Sequence, residues 1–552
     1  MIWNQVYVLF NCGPILSALI VAGPIYVILV LLGIMRKPAW VAGLAGLATA
    51  VLIAVAGYGM PVRLTVSAAT YGVCFGLFPI SWIVFWAIVL FRITLETGSF
   101  EVIRNSIGHL TSDARLQTLL IAFGFGAFIE GAAGFGTPVA IAAAMLVGLG
   151  FSPFRASAAC LLANTAPGAF GSIGIPIITL AGTTGLPLNA LSAAAGRLCA
   201  PINALLPVYL LLALGGPGAL SGVWIPTLIT GGIFALVQFL VSSYLGPQLT
   251  DLLSSIAAMA AVVVIAQFWK PSECAAHRTL RGGTPDELAN ETQLEAAPSI
   301  RPSSQSIFRA WLPYCLLVVC ILLWGLKPVQ AILNHGTIMI PWPALHDAVL
   351  RMPPIVGKPS PYAAIFNLNI LSASGTSCMA AALLSALFAG MSAKQFLRLL
   401  RSVAHQLLLP TITFTSVLAA AFLMNYSGST STLGLAFART GAVFPFFSAA
   451  LGWLGAFLTG SDTSSNALFG NLQVVTADKL GISPVLMAAT NAVGGMMGKM
   501  ISLQTIAVAA AATAMSTADQ SRLFRFTLKH SIFLASVVGG LALLCVYVLQ
   551  IK

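Results

Sequence analysis

The sequence predicts an all-α polytopic membrane protein. Of its 552 residues, 58% are hydrophobic and only 7% are charged, and the mean hydropathy is +0.96. A soluble domain carries roughly 25% charged residues. The apolar residues fall in runs that match the roughly 20 residues needed per crossing, enough for about 12–14 transmembrane helices. Lys and Arg gather in short clusters between the runs, the bias that marks cytoplasmic loops.

The formal net charge of +12 is therefore a mark of topology. No basic patch interleaved with aromatic residues occurs, so no nucleic-acid partner is expected; the lipid bilayer is the expected surrounding. Nine cysteines are scattered without a C-x-x-C pair, and several (Cys160, Cys199, Cys315, Cys545) sit inside apolar stretches as packing residues. The six histidines form no H-E-x-x-H and no paired ligand spacing. No metal site and no cofactor are expected. The N-terminus lacks a basic n-region and a cleavage site, so the first apolar segment reads as a retained span.

Taken in order, Gly13 to Met35 is the first span and Ala39 to Met60 the second, with Arg36-Lys37 between them. That cluster reads as cytoplasmic and places the N-terminus outside. Thr65 to Phe91 carries Gly72, Gly76 and Pro79 and should be kinked. The polar stretch from Arg92 to Arg115 reads as cytoplasmic and partly an interfacial helix. A breaker-rich region spans 116–187, and further spans fall near 190–214, 222–243 and 252–268. Residues 270–309 hold ten of the chain's 40 charged residues and read as a hydrophilic connector. It separates an N-terminal membrane half, 1–269, from a C-terminal half, 310–552. In the second half Ala310 to Leu326 is a span, 327–361 a proline-rich loop, and Pro361 to Gly390 another span. Lys394, Arg398 and Arg401 mark the cytoplasmic side ahead of a span at 404–424. Interrupted segments follow over 443–515, and 530–549 closes the chain, again ending outside.

One stretch stands out: Gly126-Ala127-Phe128-Ile129-Glu130-Gly131, followed by Gly134, Gly136, Thr137 and Pro138. An ionised carboxylate in hydrocarbon costs about 2.5–3.5 kcal/mol even on lenient insertion scales. The glycines and proline predict a helix break at the charge, which is tolerated at membrane depth only beside protein or a watery cavity. The second half repeats the pattern. Gly126 to Gly131 matches Gly455-Ala456-Phe457-Leu458-Thr459-Gly460, Gly150-Phe151-Ser152-Pro153 matches Gly481-Ile482-Ser483-Pro484, and Ala163 to Ala166 aligns with Thr490 to Val493. Two structural repeats with broken or re-entrant hairpins, near 116–187 and 443–515, are expected. Of the 14 acids, only Glu130 and Asp462 read as lying inside apolar segments. Lys499 is the cation to pair with a carboxylate, either a substrate's or that of Asp462. Arg351 and Arg92 flank apolar segments, where anion steering and topology marking fit equally well. The run Asn425 to Thr432 reads as a loop or as an unwound segment lining a site.

Together with Asn164-Thr165-Ala166-Pro167, Arg351-Met352-Pro353-Pro354, Asn425-Tyr426-Ser427-Gly428, Thr459 to Asn466 and Gly498-Lys499-Met500-Ile501-Ser502, these motifs resemble the L-lactate permease family in order and over nearly the whole chain. The resemblance implies a proton-coupled symporter for L-lactate, D-lactate and glycolate in a bacterial inner membrane. It also implies a fold of inverted repeats with elevator-type movement. One departure is Ser502-Leu503-Gln504, where family members read Ser-Pro-Gln. Under this reading Glu130 and Asp462 carry the coupled proton. Lys499 and the polar residues of the breaks (Thr137, Asn164, Thr165, Ser461, Thr463, Ser464, Ser465, Asn466, Asn425 and Ser427) bind the substrate.

Desolvation favours the neutral form of such an acid, so a proton and an anion would enter together as a site of low net charge. Sodium coupling is the rival within transport. An embedded enzyme would need a nucleophile–base pair or a metal cluster, and neither pattern occurs. A sensor would need a sizeable soluble output domain, and the longest polar stretch is too short. The sequence leaves monomer and homo-oligomer open.

Overall fold

The computed structural model describes residues 2–10, 12–108, 110–111, 113–134, 137–269 and 304–550. Most of the expected connector, 270–303, lies outside the described residues, as do Phe135 and Gly136 of the first break. Among the described residues nine helices are long and apolar enough to cross a membrane, and twelve spans result when each of three bent pairs counts as one.

The first span is such a pair, Pro14–Val21 and Gly23–Ile34, bent by 43°. Ala39–Gly57 and Val62–Glu96 follow. The latter is interrupted where Phe78 leaves helical geometry ahead of Pro79, a residue that has no N–H to continue the ladder. The interfacial helix is Ser99–Gly108. Asp113 then starts the next helix. Its carboxylate accepts the Arg115 backbone N–H at 2.8 Å and pairs with the Arg115 guanidinium at 2.6 Å. That guanidinium is fully buried and also donates to the Ser221 carbonyl at 2.6 Å. Burial works against an ionised Asp113, but the hydrogen bonds and charge of Arg115 outweigh it and hold the carboxyl below its ordinary value.

Spans Leu188–Gly215, Trp224–Tyr244 and Thr250–Phe268 complete the first half, and Ser304–Gly325 opens the second. The stretch 361–390 is not one span. Ile365–Leu368 is a strand antiparallel to Ile338–Pro341, and only the 15 residues Ser374–Phe388 are helical. At 1.5 Å per residue such a helix is about 22 Å long, short of the roughly 30 Å hydrocarbon core. A second small sheet joins Val349–Arg351 to Ser360–Pro361 and, in parallel, to the N-terminal strand Trp3–Asn4. Lys394, Arg398 and Arg401 lie in the first turns of the long helix Ala393–Ser427 rather than in a loop before it; Ser392 and Gln395 cap it reciprocally. The last helix, Thr517–Tyr547, likewise starts before the expected 530.

Two segments share one order of elements. The first runs through Gly126–Ala132, a break, Thr137–Gly148, a Gly-x-Ser-Pro turn, Pro153–Ala163, a second break and Gly171–Thr184. The other runs through Phe444–Thr459, a break, Asp462–Leu480, the matching turn, Pro484–Lys499, a second break and Leu503–Ala512. Ser152 and Ser483 cap the helices after the two turns alike. The second breaks bend the chain by 68° and 40°.

Candidate functional site

Beside the breaks, three buried charges come to one place. Glu130, 2% exposed, sits in the helix Gly126–Ala132. Asp462, 3% exposed, is the first residue of Asp462–Leu480, and Lys499, 9% exposed, is the last of Pro484–Lys499. An acid at a helix N-terminus and a cation at a C-terminus are each favoured by the aligned peptide dipoles. Ser461 caps the Asp462 helix by accepting the Ser464 N–H at 3.3 Å. Beyond Lys499, Ser502 accepts the Thr505 N–H at 3.1 Å, and the Thr505 hydroxyl donates to the Lys499 carbonyl at 2.6 Å. The break is therefore closed by side chains, with Leu503 opening the next helix.

Lys499 pairs with Glu130, not with Asp462. Its Nζ donates to Glu130 Oε1, while Oε2 of Glu130 and both carboxylate oxygens of Asp462 have no hydrogen-bond partner among the described residues. Glycines admit these carboxylates. A Cβ on Gly171 would come within 2.8 Å of Glu130 Oε1, and one on Gly495 within 2.6 Å of Asp462 Oδ1. Glu130, Asp462 and Lys499 line a cavity of about 390 Å³, together with Ser461, Thr463, Ser464, Ser172, Gln504, Thr505, Gln406 and Trp40.

The remaining sequence-predicted residues divide. Asn164 and Thr165 form the break after Pro153–Ala163 but are not on the cavity wall; Thr165 donates to the Leu162 carbonyl at 2.7 Å. Ser465 donates to Gly452 O and Asn466 to Pro176 O, at 2.9 and 3.0 Å, so both side chains tie helices together. Asn425 donates to Thr183 O at 3.1 Å and Ser427 shares a hydrogen bond with Ser429 at 2.9 Å. Their run is neither a loop nor an unwound segment: it is helical on both sides of Gly428, and Gln5, just after the N-terminal strand, donates to the carbonyls of Asn425 and Tyr426. Thr137 begins its helix; its side chain is outside the described residues. Arg351 lies in the small sheet, 5.1 Å above the Tyr362 ring. Arg92 is one step from the cavity, donating to Gln406 Oε1 at 2.7 and 3.2 Å.

Sequence reasoning missed a third acid. Asp251, in the first turn of Thr250–Phe268, is 1% exposed, and neither of its carboxylate oxygens has a hydrogen-bond partner of standard geometry. It packs on Gly131, whose added Cβ would lie 2.9 Å from the Asp251 Cβ, and it interacts electrostatically with Glu130 and Lys499. Glu130 and Asp462 are thus not alone among buried acids. Its signal in the sequence was an acid four positions after Pro247 at the head of an apolar run, which also describes an ordinary interfacial residue. Among the described residues no group of His, Cys, Asp and Glu is arranged to hold a metal ion.

Residues 17–549 match the model of the L-lactate permease family. The chain belongs to the L-lactate permease family. It is 42% identical over 552 residues to the glycolate permease GlcA of Escherichia coli K12, covering 99% of this chain and 98% of that one. To the L-lactate permease of Bacillus subtilis strain 168 it is 43% identical, covering 97% of each. Among solved structures, Neisseria gonorrhoeae MtrF aligns over 88% of this permease and 84% of its own chain at 13% identity, with a TM-score of 0.45; nothing below rests on that likeness.

Proposed function

We propose that this permease moves L-lactate, glycolate and related 2-hydroxymonocarboxylates across a bacterial inner membrane together with protons. The observation that carries the coupling is the Lys499–Glu130 pair on the cavity wall. A monocarboxylate entering the cavity has one ammonium to bind, and Glu130 already occupies it. When the substrate takes Lys499, Glu130 is left buried and unpartnered, a state that costs several kcal/mol if ionised. A proton on Glu130 removes that cost. Substrate and proton therefore bind together because they exchange roles around one lysine. In the empty carrier Lys499 and Glu130 neutralise each other; in the loaded one the substrate neutralises Lys499 and the proton neutralises Glu130. The pair and its ligands sum to zero in either form, so loading adds no net charge to what must pass the apolar barrier.

Asp462 faces the same cavity with two unpartnered oxygens and is the second acid able to carry the proton. Ser461, Thr463 and Ser464 line the same cavity, and in this reading their hydroxyls meet the substrate's own hydroxyl and carboxylate. The shared element order of the two segments supports a repeat; we take the repeats as inverted and moving as an elevator, with the Arg36-Lys37 loop cytoplasmic by its charge and both termini periplasmic. Uptake of labelled L-lactate into proteoliposomes tests the reading: it should follow an inward proton gradient, persist when choline replaces sodium, and be competed by D-lactate and glycolate but not citrate. Uptake that needs sodium and ignores the pH gradient would replace proton coupling with sodium coupling.

A further inference from the structure

A second, larger cavity of about 1030 Å³ lies against the first. The residues Ala39, Thr459, Gly460 and Gln504 line both. Gly460 is left-handed (φ 71°), and an added Cβ would lie 2.8 Å from Gln504 Oε1. The wall that the chambers share thus includes a glycine and one flexible side chain. The larger cavity is lined by three cations, Arg36, Lys37 and Arg525, and by no acid. All three are exposed, and none forms an ion pair among the described residues. They come from separate parts of the chain: the loop after the first bent span, and the third turn of the last helix.

The field of this chamber opposes that of the site. Around the site three buried acids, Glu130, Asp251 and Asp462, interact with one lysine, so an approaching anion meets far less attraction there than beside the three cations. A cleft lined by one sign of charge raises the local concentration of the opposite ion. We propose that the Arg36–Lys37–Arg525 cavity is an anion vestibule, a second subsite where a small monocarboxylate is held before it passes Gly460 and Gln504 into the site, or after it leaves. Topology marking accounts for cations in a loop. It does not account for a loop pair and a helix-borne cation, distant in sequence, lining one chamber that shares a wall with the site. The inference rests on carboxylate transport and not on proton coupling; uptake by the unaltered chain in the same vesicles checks that reading separately.

The test measures KM for labelled L-lactate from each face, in right-side-out and inside-out vesicles, for the full chain and the triple variant R36Q/K37Q/R525Q. At low ionic strength KM at the face bearing Arg36-Lys37 should rise roughly tenfold, while KM at the other face stays within about twofold. The difference should shrink in roughly 0.5 M salt, where screening is short-ranged. The charge-preserving variant R36K/K37R/R525K should keep the original KM, and each single neutralisation should raise it by about twofold if the triple variant inserts poorly. An unchanged KM at the basic face, or an equal rise at both faces, would overturn the vestibule. So would loss of the effect in vesicles without anionic phospholipid, which would assign the cavity to a lipid headgroup.

Discussion

Replacing Glu130 with glutamine removes the substrate's competitor for Lys499 while keeping the side chain's shape. The magnitude follows from the pair's setting. Glu130 is 2% and Lys499 9% exposed, and a hydrogen bond to a charged group contributes about 1.5–3 kcal/mol net. At 1.4 kcal/mol per decade, release of that competition should tighten equilibrium binding of L-lactate by roughly 10- to 100-fold. The same change removes the proton site at the pair and leaves Asp462 as the remaining proposed carrier, so binding should depend much less on pH. Gradient-driven accumulation should fall by at least roughly tenfold, since each 1.4 kcal/mol of lost coupling is a factor of ten. Binding to detergent-solubilised protein by scintillation proximity at pH 5.5, 7 and 8.5, with proteoliposome uptake alongside, reads all three effects. If E130Q binds lactate no more tightly, still follows pH and still accumulates substrate against a gradient, the exchange of roles around Lys499 is wrong.

Other substitutions probe the surroundings. Asp462→Asn should reduce gradient-driven uptake while leaving the Lys499–Glu130 pair in place, so lactate binding by the same assay should change less than in E130Q. Gly171→Ala should push a methyl toward Glu130 Oε1, 2.8 Å away, and should depress uptake more than it depresses the melting temperature. Asp113→Asn should leave the buried Arg115 guanidinium short of its carboxylate and lower stability by about 3 kcal/mol, measured as thermal unfolding in detergent. Because folding lowers the Asp113 pKa, its stabilising contribution is complete above the ordinary Asp value of about 3.9. That contribution is lost as pH falls through the lower folded value, so the stability gap between wild type and D113N should close only in strong acid.

Sequence reading reached the charged part of the site because a charge inside an apolar run is expensive and therefore conspicuous. Glu130, Asp462 and Lys499 stood out for that reason, and they do share one cavity. The polar residues beside them were not separable in the same way. Ser464 faces the cavity while Ser465 and Asn466, its next neighbours, spend their side chains on Gly452 and Pro176 carbonyls. Only the third dimension shows which hydroxyl or amide is already satisfied. The pairing partner of Lys499 was also out of reach, since Glu130 lies 369 positions away. Breaks were legible wherever glycine and proline cluster, as at Pro79 and at 164–168. The small sheets were not, because strands of two to four residues are too short to show a period of two. Asp251 escaped because the start of an apolar helix is where an interfacial acid is ordinarily found.

The account turns on a proton replacing the ammonium at Glu130 each time a substrate anion takes Lys499. Proton movement accompanying lactate entry measures this directly, with a pH dye trapped inside proteoliposomes that start at equal pH, in choline buffer. Lactate added outside should acidify the lumen of vesicles carrying the unaltered chain, with about one proton per lactate as the exchange of a single pair requires. Vesicles carrying E130Q should show much less acidification. Lactate entering without lumenal acidification, or with the same acidification in E130Q, would contradict the account.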